Sequence, residues 1–188
     1  MNQLKIALGL CFLCASCFIN SVSAQNLVIE NARIIVGPGN VIENGSMVVT
    51  DGIITEVSTG QAQSSPPGAT LIDGNGMTLV SGYIDNHRHL IGGRSPEAVA
   101  RFFAEDAETQ MLDLLDAGVT TVQSGGDDNQ GIQELKRMID SGQIKGPRII
   151  TSYSVPTARM SSETEVRMAV RAAVEAGADS IAEVHYPD

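Results

Sequence analysis

In the stretch 77-MTLVSGYIDNHRHL-90, an apolar run leads directly into two histidines that are one residue apart. Alternate side chains of a strand share a face, so His87 and His89 point the same way, with Asp85 behind them. Imidazole nitrogen suits zinc and its neighbours, and a catalytic zinc takes about three protein ligands beside one open position. The pattern indicates a metal site at the end of a strand, although a His-x-His pair in a polar loop can also be incidental.

After this stretch, strands and helices alternate along the chain. Two of the helix starts carry local signals, Pro96 in a first helical turn and Ser162 with Glu165 as a capping box. Such alternation predicts parallel strands with right-handed crossovers, and sites in these sheets form at the carboxyl ends of the strands. The predicted strands are 77–85, 118–124, 148–153 and 178–185, and the predicted helices are 95–116, 130–140 and 163–176.

Before this stretch, residues 27–72 have the pattern of short strands joined by turns. Aliphatic and β-branched runs are separated by turn signals, and residues 60–68 form a predicted exposed loop because Pro66 and Pro67 cannot join a strand ladder. The sequence therefore predicts a small β unit here. Its turn signals are Gly37-Pro38-Gly39, Asn44-Gly45 and Asp51-Gly52.

The first 24 residues have the three parts of a secretory signal peptide. Lys5 supplies the positive charge, residues 6–19 the apolar core, and small residues precede a predicted cleavage after Ala24. The core has 14 residues, whereas a membrane span needs about 20, so a retained anchor is the weaker alternative. A lipoprotein anchored through Cys17 is a further alternative, but Cys14 stands where a lipobox has leucine. We expect a secreted or periplasmic protein.

The composition limits the partners of the protein. It carries 22 acidic and 12 basic residues, a net charge of −10, which makes nucleic acid or anionic lipid a poor partner. The expected partner is a small-molecule substrate, with no membrane contact after signal cleavage, and a homo-oligomer stays open. The cysteines all lie in the leader, so cleavage leaves no disulfide framework; they are Cys11, Cys14 and Cys17.

The stretch 77–90 resembles the first barrel strand of the amidohydrolase superfamily, in which an apolar run precedes Pro-Gly-Leu-Ile-Asp and then x-His-x-His. Ser81 replaces the usual proline and Tyr83 the usual leucine. Residues 28–58 look like the small β-sandwich that precedes this barrel. The matching residues of the motif are Gly82, Ile84, Asp85, His87 and His89, and residues 117–126, 146–152 and 176–184 look like barrel strands two to four of the imidazolonepropionase and prolidase-like branch.

The fold that this resemblance implies is an α/β protein, the N-terminal half of a metal-dependent hydrolase (β/α)8 barrel preceded by a small β-sandwich. The implied parts are a signal peptide at 1–24, a sandwich subdomain at 25–76 and a partial barrel at 77–188. A complete barrel of this type takes about 250 residues, so we expect a truncation after barrel strand four.

The function that the resemblance implies is hydrolysis of C–N bonds in amides, lactams or dipeptides by a metal-activated water. His87 and His89 would hold the more buried of one or two divalent ions, most simply zinc. In relatives with two ions a strand-four lysine bridges them, but alignment puts Ala182 at that position. The family's late catalytic aspartate lies beyond these strands, so the catalytic residue is unknown and we expect this chain to be inactive alone. The alternative is a non-catalytic, truncated or decayed barrel that acts at most as a binding module.

Other polar residues near the predicted strand ends are weaker candidates. Glu183 and His185 are further candidate metal ligands, but strand alternation favours an outward salt-bridge residue for Glu183 and a polar strand-end residue for His185. Arg88 should face away from the histidines and form an ion pair. The run 124–128, SGGDD, lacks a phosphate-binding glycine spacing and is predicted to be a loop near the mouth of the site.

Overall fold

The computed structural model describes residues 25–182 of the protein. The predicted signal peptide at 1–24 and the candidate ligands Glu183 and His185 lie outside the described residues. The chain divides into two compact units, Met1–Val80 and Ser81–Asp188.

The first unit is a five-stranded mixed sheet with β1 at its centre. Its strand order is β3-β2-β1-β4, with β5 pairing with another part of β1. β1, β2 and β3 are antiparallel neighbours, whereas β4 and β5 run parallel to β1. The hairpin predicted at Asp51-Gly52 is confirmed, since both residues have the positive φ that its tight turn requires, 52° and 76°. The strands are β1 Leu27–Gly37, β2 Asn40–Thr50, β3 Ile53–Thr59, β4 Thr70–Asp73 and β5 Thr78–Leu79.

The turn predicted at Asn44-Gly45 is wrong, because both residues lie inside β2. Gly45 pairs with Ala32 of β1 across an irregular stretch of the ladder. A Cβ at Gly45 would lie 2.6 Å from the carbonyl oxygen of Ser58 and 2.7 Å from Cγ2 of Ile42. The glycine is therefore required by close packing inside the sheet, a role that an Asn-Gly pair does not reveal in sequence.

We expect Gly45→Ala to lower the free energy of unfolding of this sheet by about 1–3 kcal/mol, the usual cost of overpacking. The contact with the Ser58 oxygen is to backbone, which cannot rotate away. Gly37→Ala is the matched control, since nothing lies within 4 Å of its added Cβ. Urea unfolding followed by circular dichroism, with hydrogen exchange of the β1–β3 amides, measures both variants; equal stabilities would contradict the packing argument.

The strand predicted over 77–85 is divided in the structure. Thr78 and Leu79 pair with Arg33 and Ile34 of β1, so they belong to the first unit rather than to the strand that carries the histidines. That strand, β6, is Tyr83–Arg88. The interruption covers Val80, Ser81 and Gly82, and the first unit ends at Val80.

The second unit contains parallel strands with helices between them, as predicted. β6, β7 and β8 form one parallel sheet in that order, and β9 pairs in parallel with β10. The strand predicted at 148–153 is thus two short strands that meet at Thr151. The remaining elements are α1 Pro96–Arg101, a π-helical turn Phe102–Asp106, α2 Ala107–Asp116, β7 Val119–Ser124, α3 Asn129–Asp140, β8 Arg148–Ile150, β9 Ser152–Ser154, a 3-10 turn Thr157–Arg159, α4 Glu163–Glu175 and β10 Ser180–Ala182.

The predicted helix starts are confirmed in detail. Pro96 occupies the first turn of α1 behind the N-cap Ser95, whose hydroxyl accepts a hydrogen bond from the Ala98 N–H. Ser162 caps α4 by accepting from the Glu165 N–H at 3.3 Å. The Glu165 carboxylate reaches back to the Ser161 N–H at 2.7 Å, one residue before the position that a regular capping box uses.

The core of the second unit lies between the parallel strands and helices α1 to α3. Met111 of α2 and Leu135 of α3 are fully buried against Val122 of β7. Leu90 and Ile91, which directly follow the histidines, belong to the same core and are 2% and 4% exposed. Burial of these two side chains fixes the chain immediately after the histidine pair. Within residues 25–182, no helix combines the length and the apolar character needed to span a bilayer.

A polar cluster joins the residues that directly precede β9 and β10. Thr151 is fully buried and donates from its amide and its hydroxyl to Oδ2 of Asp179, each at 2.9 Å. Lys136 of α3 lies 2.8 Å from the same oxygen. Partial burial raises the pKa of Asp179, but the Lys136 ammonium and the Thr151 donors outweigh it and hold that pKa below its ordinary value. The carboxylate is therefore charged where the two strands meet.

Candidate metal centre

His87 and His89 lie side by side at the carboxyl end of β6. Their ring centroids are 5.5 Å apart and the rings are inclined at 78°, so both imidazoles occupy the same side of the chain, as strand alternation predicts. Both residues are exposed.

Gly125, the first residue after β7, forms the floor beneath the two imidazoles. A Cβ at this position would lie 3.0 Å from Nε2 of His87 and 3.0 Å from Nε2 of His89. The Gly125 N–H donates to the carbonyl oxygen of Arg88 at 2.8 Å, which holds the glycine against β6. The two Nε2 atoms therefore converge on the space that a side chain at residue 125 would fill.

Asp85 was expected behind the two histidines on the same face, but its carboxylate makes its contacts elsewhere. Its Oδ1 accepts from the backbone N–H of His87 at 3.2 Å, and its Oδ2 lies 3.9 Å from the guanidinium of Arg88. The pairing of β6 with β7 is irregular between Asp85 and Arg88, and strict alternation fails where the ladder is irregular. The ion pair predicted for Arg88 is therefore present, and its partner is the carboxylate that was expected behind the metal site.

Asp127 fixes the loop that follows the histidines. Its side chain is buried, with the residue 4% exposed. The Leu90 N–H donates to both of its oxygens at 3.0 and 3.1 Å, and the Ile91 N–H donates to Oδ1 at 3.0 Å. A carboxylate in the loop after β7 thus satisfies two backbone donors in the loop after β6.

Arg94, in the loop after β6, connects this loop to the loop after β7. Its guanidinium donates to the carbonyl oxygen of Gly126, with Nε at 3.0 Å, and to Oγ of Ser154 at 2.9 Å. It therefore ties the loops that follow β6 and β7 to the end of β9. Beside it lies a cavity of about 380 Å³, within the range of small-molecule sites. The cavity is lined by His89, Gly92, Gly93, Arg94, Gly126 and Asp127.

Within residues 25–182, the two candidate metal ligands that lie together are His87 and His89. Among residues 25–182, no group of three or more histidine, cysteine, aspartate or glutamate side chains is placed to hold an ion. Ala182, predicted at the lysine position, lies in β10 opposite Ser154 and has no ligand atom. Glu183 and His185 follow directly but lie outside the described part of the chain. The His87 and His89 pair fits a divalent ion in donor type and in the open space above Gly125.

Three residues around the pair were not identified from the sequence, namely Arg94, Gly125 and Asp127. The SGGDD run was predicted to be a loop at the site, and it does follow β7 directly. Its last residue, Asp128, caps α3 by accepting from the Gly131 N–H at 2.8 Å. Two adjacent aspartates with different roles, one capping a helix and one holding another loop, look alike in sequence.

Most of the second unit is similar in sequence to known proteins. The model of the amidohydrolase family matches residues 78–185. An imidazolonepropionase of Phocaeicola vulgatus is 33% identical over 39% of this chain and 21% of its own length. A dihydroorotase of Desulforapulum autotrophicum is 34% identical over 47% of this chain and 19% of its own length. The chain thus spans only about a fifth of these relatives.

A solved structure extends the similarity to both units. A Bifidobacterium longum protein assigned as a prolidase superposes with a TM-score of 0.66 at 28% identity. The superposition covers 84% of this chain and 40% of that protein. The similarity therefore includes the first sheet as well as the parallel strands, over less than half of the larger protein.

Proposed function

Because the chain belongs to the amidohydrolase family, we propose that it is a metal-dependent hydrolase that cleaves C–N bonds in small molecules. The observation that carries the proposal is the convergence of two imidazole Nε2 atoms above Gly125, at the carboxyl end of a parallel strand. Sites in α/β barrels and open parallel sheets form at this end. The named relatives, an imidazolonepropionase, a dihydroorotase and a prolidase, support an amide, lactam or dipeptide substrate.

His87 and His89 would hold a divalent ion, and zinc suits two imidazoles best. When bound, such an ion supplies a nucleophile from water at neutral pH and polarises a carbonyl group. Since Ala182 offers no atom that could bridge two metals, we propose a single ion at this pair. Because Gly125 has no side chain, the space on which the two Nε2 atoms converge stays open. We assign the proton-transfer role to no residue between 25 and 182.

The cavity beside His89 would take the substrate. Arg94 and Asp127 supply polar side chains to its lining, and Gly92, Gly93 and Gly126 leave backbone groups at its wall. Backbone donors and acceptors with a few polar side chains are the usual means of orienting a small polar ligand. A carbonyl group bound in this cavity would lie next to the His89 imidazole.

The arrangement of strands supports a finer proposal about architecture. Parallel neighbours in chain order, β6-β7-β8 and then β9-β10, agree with the first four strands of a (β/α)8 barrel. The first sheet agrees with the small β subdomain that precedes such a barrel.

We also propose that residues 1–24 direct export and are removed after Ala24, which mass spectrometry of the mature protein would test.

The function is tested by turnover of a substrate panel by the zinc-loaded full-length protein, meaning the polypeptide that its complete coding sequence specifies. The panel contains Xaa-Pro dipeptides, N-acyl amino acids and five-membered lactams. We expect hydrolysis of at least one class, its loss after chelation, and its recovery when zinc is restored. Turnover that persists after chelation, and in a variant lacking both histidines, would contradict a metal-dependent reaction at this site.

A further inference from the structure

Asp127 is a buried carboxylate that the proposed chemistry does not use directly. It lies in the loop after β7, yet its carboxylate accepts hydrogen bonds from the loop after β6, at Leu90 and Ile91. Leu90 is the residue next to His89, so these bonds act on the backbone immediately beyond a proposed metal ligand.

We propose that Asp127 is a positioning residue that holds His89 in its metal-binding orientation, an inference that rests on the proposed function. Metal-binding imidazoles depend on the groups that fix their orientation, and loss of such a group typically lowers metal affinity 10- to 100-fold. Gly125, under the imidazoles, and Asp127 belong to the same loop. One loop therefore shapes the space between the imidazoles and also anchors the chain on which His89 stands.

The hydrogen-bond geometry predicts a graded response to substitution. Oδ1 of Asp127 accepts from both Leu90 and Ile91, whereas Oδ2 accepts from Leu90 alone. Asparagine retains one acceptor oxygen, which can keep both bonds to Oδ1. Alanine removes all of them and leaves two backbone donors without their partner. Asp127→Ala should therefore weaken metal binding more than Asp127→Asn.

The test is zinc affinity of the full-length protein, measured by competition with a chromophoric chelator well below the temperature of unfolding. We expect Asp127→Ala to bind zinc about 10- to 100-fold more weakly than wild type. The zinc affinity of Asp127→Asn should lie between those of Asp127→Ala and wild type. The visible spectrum of bound Co²⁺ should change in the same order, because it reports the geometry of the ligands rather than the stability of the fold.

Asp128→Ala is the matched control. Asp128 is the adjacent residue of the same type, but its carboxylate caps α3 by accepting from the Gly131 N–H. Its loss should lower the unfolding temperature while leaving zinc affinity and the Co²⁺ spectrum unchanged. An equal loss of affinity in Asp127→Ala and Asp128→Ala would overturn the proposal, because both would then act only through stability.

The remaining outcomes separate this inference from the proposed function. Wild-type affinity in Asp127→Ala overturns the positioning role alone. If that variant does not fold, unchanged affinity and an unchanged Co²⁺ spectrum in Asp127→Asn overturn it. If wild type binds zinc no more tightly than a variant lacking His87 and His89, the proposed metal site fails first and the inference fails with it.

Discussion

Replacement of both histidines, His87→Ala with His89→Ala, is expected to reduce bound zinc from about one ion per chain to background, because it removes both imidazoles whose Nε2 atoms converge above Gly125. Elemental analysis of the purified full-length protein measures the effect. Both side chains are exposed, so little buried area is lost and the far-UV circular dichroism spectrum should be unchanged. Each single substitution should weaken binding as well, since one imidazole alone is a poor site.

Arg88→Ala is the control for this substitution. Arg88 stands between the two histidines in sequence, but its guanidinium forms an ion pair with Asp85 at 3.9 Å. An exposed ion pair of this kind contributes at most about 1 kcal/mol, so the variant should keep both its fold and its zinc. His185→Ala tests whether the third histidine of the chain contributes. Equal zinc in wild type and in the double-histidine variant would contradict the assignment.

Replacement of Gly125 should have the second largest effect. An added Cβ would lie 3.0 Å from Nε2 of each imidazole, closer than carbon and nitrogen normally approach, so both rings must shift. We expect Gly125→Ala to weaken zinc binding about 10-fold and Gly125→Val about 100-fold, as for other changes that disorient metal ligands. Isothermal titration of zinc into the apo-protein measures both affinities.

The fold should tolerate these changes at Gly125. Gly125 is not among the glycines with positive φ, so alanine and valine meet no backbone strain there. The side chains that must move are exposed imidazoles rather than core residues. Urea midpoints should therefore stay close to wild type while zinc affinity falls. A Gly125→Val protein that binds zinc as tightly as wild type would show that the metal, if bound, does not occupy the space above this residue.

The order of elements in the second unit was predictable because each signal is local. Hydrophobic runs, Pro96 in a first helical turn and the helix cap at Ser162 all act within a few residues, and the structure follows them. The shared side of His87 and His89 agrees with strand alternation, whereas Asp85, in the same stretch, does not join them. These features need no knowledge of what lies across the sheet.

The features that sequence did not reveal depend on contacts between distant residues. Gly45 resembles a turn glycine but is required by the approach of the Ser58 carbonyl. Thr78 and Leu79 resemble the start of the histidine strand but pair with β1. Asp127 is chemically identical to its neighbour Asp128, and its role follows only from the position of the Leu90 amide, 37 residues away in sequence. No local pattern contains such information.

The central claim is that Nε2 of His87 and Nε2 of His89 bind one divalent ion, and side-chain ¹⁵N NMR tests it most directly. The chain contains three histidines, so each ring nitrogen can be assigned with single substitutions. On titration with zinc, the Nε2 signals of His87 and His89 should shift together and saturate at one equivalent, with Nδ1 of each ring keeping its proton. Unchanged signals at both rings, or a shift of one without the other, would contradict the claim.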